Sequence, residues 1–529
     1  MEHDPTACDV LVVGAGPGGL TAASVLVRHG VDVLVVERHE GTSTFPKATS
    51  VTTRTMELFR TWGLEQRVRA GAMRARPVLT VSRTLVDEHQ VDAPFGYPSE
   101  EAALAVSPTT PCYCSQDHLE PVLLEHLRTH DGRIRFGTEL TGFTTDDTGV
   151  DATLHNRASG RTERIRARYL IGADGLHSTV RTGLSIGVDD LGTVGEYVAV
   201  TFRADLTRRL PRLPAVLNLV EIAGGEGLFM PTSIDDQWIY GRERHPERDE
   251  SITDLTPQRC TELIRAGAGL PDLQPEILAI MPFIMVGQVA TAFRAGRAFL
   301  VGDAAHRTTP VGGAGMNIAI HGAHNLGWKL AWVLRGWAGE ALLDSYEAER
   351  RPIGIQNVLR TLRREIKFED DELAWDIGVR YTSAVLEAGT GERAPHAWVR
   401  RDGTCVSTLD LFDGRLTVLT GPQGEPWRQA AAELAADGLP IVALSAGRDL
   451  HDEDGGFADR YGLGAAGAAL IRPDGYLAWR RPEASPDTRA ALRSAVGRTL
   501  GTMTSARRAV EALRSAVPST TTSGASGGS

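Results

Sequence analysis

Apolar and polar positions at the start of the chain follow two different periods. Residues 10–13 form an apolar run typical of a buried parallel strand, and a helical pattern follows over residues 17–29. Residues 31–36 form a second apolar run, which ends at Glu37. A strand, a helix and a second strand in this order predict a βαβ unit.

Two later parts of the chain alternate apolar and polar residues instead. They are residues 78–104 and 179–282, which glycine and proline interrupt. Segments 198–202 and 237–240 show the alternation most clearly, and a helical pattern lies near residues 257–266. We expect a mostly antiparallel sheet with one helix, because alternation is typical of strands with one buried face.

The rest of the chain predicts further strands and helices. A short strand at 298–301 precedes a long helix over 316–334, and residues 365–395 have the polar pattern of a helix that leads into a linker. Two short strands flank a Pro-Asp-Gly turn within residues 469–480, which predicts a hairpin. The tail from residue 517, rich in Ser, Thr and Gly, is expected to be disordered.

The composition indicates globular cores and argues against several classes of protein. Of 529 residues, 42% are hydrophobic and 23% are charged, and the net charge of −11 argues against binding to a nucleic-acid backbone. The cysteines number five, and Cys112 and Cys114 lack a second pair, so we expect neither a disulfide framework nor a zinc site. No apolar stretch approaches ~20 residues and no secretory signal is evident, so we expect a soluble cytoplasmic protein without a membrane span.

The loop after the first predicted strand has the spacing of a dinucleotide-binding motif. Its GxGxxG glycines are Gly14, Gly16 and Gly19. They allow a tight turn, close approach of a pyrophosphate and close packing of helix on strand, while the helix that begins at Pro17 offers free N–H groups to phosphates. Glu37 is placed to accept hydrogen bonds from a ribose, although the motif alone would also fit an ordinary glycine-rich turn. Arg38 either pairs with an adenosine phosphate or is solvated.

Two later segments each end an apolar strand with an acid and a glycine. The first ends in Asp174 and Gly175, and the second in Gly302 and Asp303. Asp303 at a strand end can accept a hydrogen bond from a polyol hydroxyl, and a helix N-terminus after it would stabilise negative charge on a flat, electron-accepting ring. The residues leading into that helix are Pro310, Gly313, Gly315, Met316 and Asn317. A polyol and a reducible ring on a dinucleotide describe FAD.

The three segments, in this order and spacing, resemble the class A flavoprotein monooxygenases, the aromatic hydroxylase family, over about residues 8–365. The resemblance implies an α/β fold with a Rossmann-like FAD-binding domain like that of p-hydroxybenzoate hydroxylase. It implies that Gln116 contacts the ribityl or ribose region of FAD, and that Lys47 or Arg54 is a basic contact. Together, the local patterns and the resemblance predict the cofactor-binding residues Gly14, Gly16, Pro17, Gly19, Glu37, Arg38, Lys47, Arg54, Gln116, Asp174, Gly175, Gly302, Asp303, Pro310, Gly313, Gly315, Met316 and Asn317.

The last unit resembles the thioredoxin-like C-terminal domain of the phenol-hydroxylase and polyketide-hydroxylase branch. The Arg-Pro-Asp-Gly-x-x-Ala-Trp-Arg signature at 472–480 carries this resemblance, and segments 46–48, 54–59 and 256–260 are similar to hydroxylases of anthracycline-type aromatic polyketides. Cys405 is solitary, so no thiol redox role is expected. The predicted domains are a discontinuous FAD-binding domain (1–77, 105–178 and 283–365), a mostly antiparallel substrate-binding sheet (78–104 and 179–282), a helical linker (366–395), a thioredoxin-like domain (396–516) and a disordered tail (517–529).

The resemblance also implies a reaction. NADPH, or NADH, reduces FAD and leaves, O2 adds to give a flavin C4a-hydroperoxide, and a polycyclic phenol of polyketide type attacks its distal oxygen. Baeyer–Villiger insertion, oxidative inactivation of an aromatic antibiotic, a reductase or dehydrogenase without oxygen transfer, and a non-catalytic drug-sequestering flavoprotein stay open as alternatives. The expected partner is this small molecule, with no nucleic acid or membrane, for a monomer or homodimer.

Other residues are weaker candidates. Tyr240 and Arg242 share one face of a predicted strand, where the tyrosine could help to deprotonate a phenol and the arginine could steady the phenolate, or the pair could simply face solvent. His126 and His130 lie four residues apart on a predicted helix, where we expect a solvated face rather than a metal site. The family usually has an acid where this chain has His321-Gly322, and this histidine either faces the substrate or fills the helix surface, as does His324.

Overall fold

The computed structural model describes residues 6–94, 96–222, 225–244, 255–363, 372–452 and 455–502. The helices are α1 (Pro17–Arg28), α2 (Thr53–Thr61), α3 (Glu65–Arg69), α4 (Glu100–Leu104), α5 (Gln116–Thr129), α6 (Thr179–Gly183), α7 (Pro257–Ala268), α8 (Ala314–Leu334), α9 (Ala341–Thr361), α10 (Glu372–Asp376), α11 (Glu425–Ala436), α12 (Phe457–Tyr461) and α13 (Thr488–Thr499). The strands are β1 (Thr6–Val13), β2 (Val33–Val36), β3 (Arg76–Ser82), β4 (Val91–Pro94), β5 (Arg133–Arg135), β6 (Thr138–Thr145), β7 (Val150–Asn156), β8 (Thr162–Gly172), β9 (Val188–Arg203), β10 (Ala215–Ile222), β11 (Gly225–Pro231), β12 (Gln237–Arg244), β13 (Glu276–Ala290), β14 (Arg294–Ala295), β15 (Ala298–Leu300), β16 (His306–Arg307), β17 (Trp398–Arg401), β18 (Thr404–Ser407), β19 (Leu416–Thr420), β20 (Ile441–Ser445), β21 (His451–Asp452), β22 (Ala468–Ile471) and β23 (Leu477–Arg481).

The first sheet confirms the predicted βαβ unit. Its strand order is β14-β15-β8-β1-β2-β5, and strands β15, β8, β1, β2 and β5 run parallel. The apolar runs at its centre are fully buried because helices cover the parallel strands. Helix α1 packs closely on α8, where a Cβ on Gly327 would lie 2.8 Å from Val25. The carboxyl ends of β1, β8 and β15 therefore lie side by side.

The second sheet confirms the predicted, mostly antiparallel sheet. Its order is β16-β13-β9-β12-β11-β10-β3-β4, and of its pairs only β10 with β3 is parallel among the described residues. Helix α7, predicted near residues 257–266, covers one face and packs Leu263 and Ile264 against Phe202 and Phe229. Strand β16 links this sheet to the loop that follows β15.

The third unit has a small sheet of order β20-β19-β22-β23, in which β19 and β20 run parallel and the other pairs antiparallel. Its elements follow the chain order β19-α11-β20 and then β22-β23-α13, and a thioredoxin-like fold for this unit stays a prediction. The predicted hairpin is β22–β23, and Gly475 turns it at φ 77° while its N–H donates to Arg472 O at 3.0 Å. Residues 503–516 and the predicted disordered tail lie outside the described residues.

The helix predicted over residues 365–395 is wrong for most of the part that the structure describes. Only α10 is helical there, and residues 364–371 lie outside the described chain. Gly389 and Gly391 have positive φ, and the N–H of Gly391 donates to Leu477 O at 2.9 Å. Pairing with the hairpin of the third unit overrides the local helical pattern.

A cluster of fully buried charges joins the third unit to α8 and α9. The Glu349 carboxylate accepts hydrogen bonds from Lys329 at 2.7 Å and from both terminal nitrogens of Arg472 at 2.7 and 3.0 Å. Asn325 and Ser383 also donate to it, each at 2.8 Å. These bonds satisfy the buried carboxylate, as burial of a charge requires. The hairpin signature of the third unit is thus part of the interior of the whole chain.

Among the described residues, no helix is long and apolar enough to cross a membrane. In the same ranges, no group of histidine, cysteine, aspartate and glutamate side chains could hold a metal ion. The five cysteines are free, and Cys112 and Cys114 are buried.

Candidate active site

The glycine loop lies against the neighbouring strand end and leaves space on its other side. Gly14 has φ 103°, and a Cβ there would lie 2.3 Å from Ala173 O, so only glycine fits. A Cβ on Gly19 would lie 2.0 Å from Gly14 O, whereas a Cβ on Gly16 would meet nothing within 4 Å. Helix α1 begins at Pro17 with no side-chain cap. The loop therefore leaves an open space beside unsatisfied N–H groups, which suits a pyrophosphate.

Glu37 is fixed at the end of β2, beside this loop. One carboxylate oxygen accepts a hydrogen bond from Ala15 N at 2.8 Å, and the other accepts one from His39 N at 3.0 Å. His39 Nδ1 also lies 2.6 Å from the second oxygen, so the oxygen that accepts from Ala15 N keeps a lone pair for a ribose. The Arg38 side chain is exposed, which leaves both interpretations of it open.

The Asp174 carboxylate forms hydrogen bonds within its own loop. Its carboxylate accepts hydrogen bonds from Ser178 Oγ at 2.5 Å and from Val180 N at 3.0 Å, and burial raises its pKa. The Arg181 guanidinium donates to Leu176 O at 2.9 Å and to Ala304 O at 3.2 Å. The side chains of this segment hold the loop after β8 against the loop after β15, while Gly175, at φ 77°, keeps an open surface.

Asp303 differs from Asp174 because its carboxylate is exposed and has no hydrogen-bond partner among the residues that the structure describes. The protein around it raises its pKa by desolvation, while Lys47 and Arg307 act in the opposite direction. The short 3₁₀ turn at Gly302–Ala304, in which Gly302 has φ 61°, presents the carboxylate. An accessible acceptor in a concave, cation-flanked place suits a polyol hydroxyl.

The N-terminus of α8 follows the same loop. Gly313 is its N-cap at φ 59° with no side-chain cap, and a Cβ there would lie 2.6 Å from the Tyr97 hydroxyl oxygen. Pro310 is exposed at the entrance, whereas Met316 is buried. A Cβ on Gly315 would lie 2.9 Å from a threonine hydroxyl oxygen. The uncapped N–H groups are therefore available to a ligand with negative charge.

The Asn317 side chain turns inward from this helix. Its amide donates to Ser50 O and Gly313 O, each at 3.0 Å, and its oxygen accepts from Thr52 N at 3.0 Å and Thr55 Oγ1 at 2.8 Å. Asn317 therefore fixes the loop at Gly313 from behind, and its own side chain is not directed at the cleft.

Gln116 begins α5, and its side chain donates to Glu120 at 2.6 Å. The Glu120 carboxylate also accepts from Ser43 N at 2.6 Å. Burial raises the pKa of Glu120, and the charge of Lys47 lowers it. The Lys47 charge also opposes the rise in the pKa of Asp303, so Lys47 is close enough to interact with both carboxylates. Glu120 was missed as a site residue, although its spacing of four residues from Gln116 on one helix could have identified it.

Arg54, the alternative to Lys47, is not brought to the cleft. Its side chain is buried and donates to Glu57 at 2.8 Å and to Asp474 O at 2.8 Å. Its own N–H donates to Asp376 at 2.9 Å. These partners explain why we correct its predicted role from a cofactor contact to a link between α2 and the third unit.

Tyr240 and Arg242 also lie away from the cleft. The Tyr240 ring is buried and lies 5.0 Å from the Phe229 ring, in the cluster that packs against α7. Burial raises the pKa of Cys260 on α7, and the nearby Arg242 charge opposes this rise. Both side chains therefore occupy the α7 side of the second sheet, and we withdraw them as candidates for phenol activation.

The other candidate histidines are His321, His324 and His126, and each lies against other side chains of the protein. His321 lies 2.9 Å from Thr55 Oγ1, and Gly322 leaves α8 continuous, so the departure from the family pattern does not break the helix. His324 lines a cavity that residues of the third unit also line. His126 is not on a solvated face: it is buried and its ring stacks on Trp62 at 5.4 Å.

Two protein-family models match most of the chain. The model of an FAD binding domain matches residues 7–361, and the model of an aromatic-ring hydroxylase C-terminal domain matches residues 387–502. The first match covers both large sheets, and the second covers the small sheet of the third unit.

Proteins of known activity align with nearly the whole chain. Tetracenomycin A2 monooxygenase-dioxygenase of Streptomyces glaucescens is 39% identical over 93% of this chain and 96% of its own. Aklavinone 12-hydroxylase RdmE of Streptomyces purpurascens is 38% identical over 93% of this chain and 98% of its own. The crystal structure of a ternary complex of aklavinone-11 hydroxylase with FAD and aklavinone has a TM-score of 0.86 at 37% identity, and the match covers 94% of this chain and 100% of that one.

Proposed function

The chain belongs to the family of FAD-dependent aromatic-ring hydroxylases, and we propose that it hydroxylates a polycyclic aromatic polyketide with NAD(P)H and O2. It is an FAD-dependent monooxygenase, since its family models and its relatives agree on this class. The identity of the ring system and the choice of NADPH over NADH belong to the proposal.

One observation carries the proposal. The glycine loop after β1, the Asp174 loop after β8 and the Asp303 loop after β15 meet at adjacent ends of parallel strands, beside the N-terminus of α8. Ligands of open α/β sheets bind at the carboxyl ends of the strands. An open pyrophosphate space, a free carboxylate for a polyol and an uncapped helix end suit the three parts of FAD.

The side chains of this cleft bind and orient rather than react. Gly16 and Pro17 would receive the pyrophosphate, Glu37 the ribose, and Asp303 the ribityl chain, with Gln116 and Lys47 beside it. The uncapped N–H groups after Gly313 would stabilise negative charge on the ring system. Hydride acceptance and activation of O2 are chemistry that FAD supplies when it is bound.

The face of the second sheet opposite α7 offers a wall for a flat substrate. Because side chains alternate along a strand, Ile239 points away from the face that Tyr240 occupies. The half-buried side chains of this opposite face include Tyr197 and Phe283, whose ring centroids lie 5.9 Å apart on paired strands. We propose that this apolar face holds the aromatic rings and keeps water from the reacting carbon.

The experiment is a turnover assay of purified protein. We expect yellow protein with bound FAD, and NAD(P)H oxidation that a four-ring polyketide phenol such as aklavinone stimulates, with a product one oxygen heavier. Product connectivity separates ring hydroxylation from Baeyer–Villiger insertion. Colourless protein that takes up no added FAD, or flavoprotein whose NAD(P)H oxidation no aromatic polyketide stimulates, would contradict the proposal.

A further inference from the structure

A cavity of about 460 Å³ lies between the first and third units. The end of α1, the middle of α2 and α8, and the turn between β22 and β23 line it. The glycine loop lies at the other end of α1, whose 12 residues span roughly 18 Å. The cavity is therefore separate from the FAD cleft, and its volume is that of a small-molecule site.

The acidic groups on the cavity wall already have partners. Each carboxylate pairs with at least one guanidinium: Glu57 with Arg54 at 2.8 Å and Arg393 at 3.6 Å, Asp413 with Arg415 at 2.7 Å, and Asp474 with Arg472 at 2.5 Å. These pairs neutralise one another. Every carboxylate that lines the cavity is therefore paired with a positive charge.

Two guanidinium groups on the wall are not compensated in this way. Within the described ranges, Arg335 donates only to neutral carbonyl oxygens, those of His29 and Gly30, each at 2.8 Å. Arg28 has no hydrogen bond or ion pair with any residue that the structure describes, and its guanidinium lies 5.9 Å from the Trp62 ring centroid. Burial is the main cause that lowers its pKa, with the more distant charge of Asp413 opposing. An anion entering the cavity would face two positive charges that form no ion pair with a carboxylate among the described residues.

Aromatic rings form much of the remaining wall. They are Trp62, Trp328, Trp337 and Phe412. Trp328 is buried and its indole N–H has no acceptor in the described part of the chain. His324 also lines the cavity, and burial lowers its pKa to about 3, so its ring is neutral and can donate or accept a hydrogen bond. Such walls favour a flat ligand with polar substituents.

We propose that this cavity is a second ligand site, which binds a flat aromatic anion between the FAD-binding part and the third unit. The anionic group pairs with Arg28 and Arg335, and the ring system lies against the indole rings. The proposed site is independent of the proposed hydroxylation, because the residues that line the cavity are not proposed to bind FAD. Arg54 also lines the cavity, and its predicted role as a cofactor contact has been corrected above.

The test uses the FAD-loaded protein and anthraquinone-2-sulfonate as the probe. We expect quenching of tryptophan fluorescence, since three of the chain's nine tryptophans line the cavity, without a change in the flavin absorption spectrum. Arg28→Glu should weaken the affinity at least about tenfold because it reverses the charge that the anion meets. Arg28→Lys should retain most of the affinity. Arg489→Glu, the same charge change at an exposed position on α13, should leave it unchanged.

Several results would overturn the site. They are absence of binding by calorimetry, equal affinity for wild type and Arg28→Glu, or an equal loss in Arg489→Glu. Probe binding that always perturbs the flavin spectrum would place the probe in the FAD cleft instead. Enzyme that binds the probe but hydroxylates no polyketide supports this site and contradicts only the proposed function, so the two failures are distinguishable.

Discussion

Arg472→Met removes the guanidinium that the third unit inserts between α8 and α9. In the wild-type chain this group donates to Glu349 at 2.7 and 3.0 Å and to Asp474 at 3.0 Å or less, with all three side chains fully or almost fully buried. The charge of Arg472 is the strongest influence that holds the pKa of Glu349 and of Asp474 below their usual values against desolvation.

The expected magnitude follows from burial. Removing one partner of a buried ion pair costs about 3–5 kcal/mol, because the other charge stays buried without compensation. Lys329 still contacts Glu349 at 2.7 Å, whereas the Asp474 carboxylate keeps, among the residues that the structure describes, only a hydrogen bond from Asn325 at 3.3 Å. We therefore expect the free energy of unfolding to fall by about 3–5 kcal/mol, with a smaller loss in Arg472→Lys, which keeps the charge but not the planar fork.

The assay is urea unfolding of the FAD-loaded protein, followed by far-UV circular dichroism and by flavin fluorescence. Arg481→Met is the matched control, since this arginine lies on the same hairpin and pairs with Glu387 at the surface. An exposed pair contributes about 0–1 kcal/mol, so the control should be close to wild type. A loss below about 1 kcal/mol in Arg472→Met, or equal losses in both variants, would refute the reasoning.

Three further variants test other parts of the account. Asp303→Ala should weaken FAD binding about 10- to 100-fold without unfolding the chain, because a charged hydrogen bond contributes about 1.5–3 kcal/mol; equilibrium dialysis with wild-type affinity would remove Asp303 from the site. Gly19→Ala should abolish FAD retention, since its Cβ would lie 2.0 Å from Gly14 O; a variant purified with a full flavin spectrum would disagree. His126 has its pKa lowered to about 4 by burial, so the folded state binds its proton less readily than the unfolded state. The contribution of His126 to the free energy of unfolding is complete above pH 6.5 and falls by up to about 3 kcal/mol towards pH 4. His126→Phe should therefore reduce the loss of unfolding free energy between pH 6.5 and pH 4, measured by urea unfolding. A pH dependence equal to that of the wild type would contradict this prediction.

The loops that form the proposed cofactor cleft could be predicted because their residues are consecutive in the sequence. Gly14, Gly16 and Gly19 act through backbone geometry, which a local spacing specifies, and Asp303 follows a recognisable buried strand. The hairpin around Gly475 could be predicted for the same reason, since its turn is encoded by adjacent residues.

Side chains whose role depends on distant partners could not be placed in this way. The spacing of Tyr240 and Arg242 shows that they share a face, but a period of two does not say which face α7 covers. Arg54 and Lys47 are both basic, so the sequence does not separate them. Only the fold shows that Arg54 contacts Glu57 and also Asp474, which is 420 positions later in the chain. The polar segment after residue 371 has a helical pattern, yet pairing with the third unit decides its conformation.

Incubation with 18O2 tests the central claim most directly. The account predicts that the product of a polycyclic aromatic polyketide carries one labelled oxygen on a ring carbon, at a yield that falls with FAD occupancy in Asp303→Ala. A product formed at the wild-type rate with no labelled oxygen, its added atom coming from water, would contradict the assignment as a flavin-dependent hydroxylase.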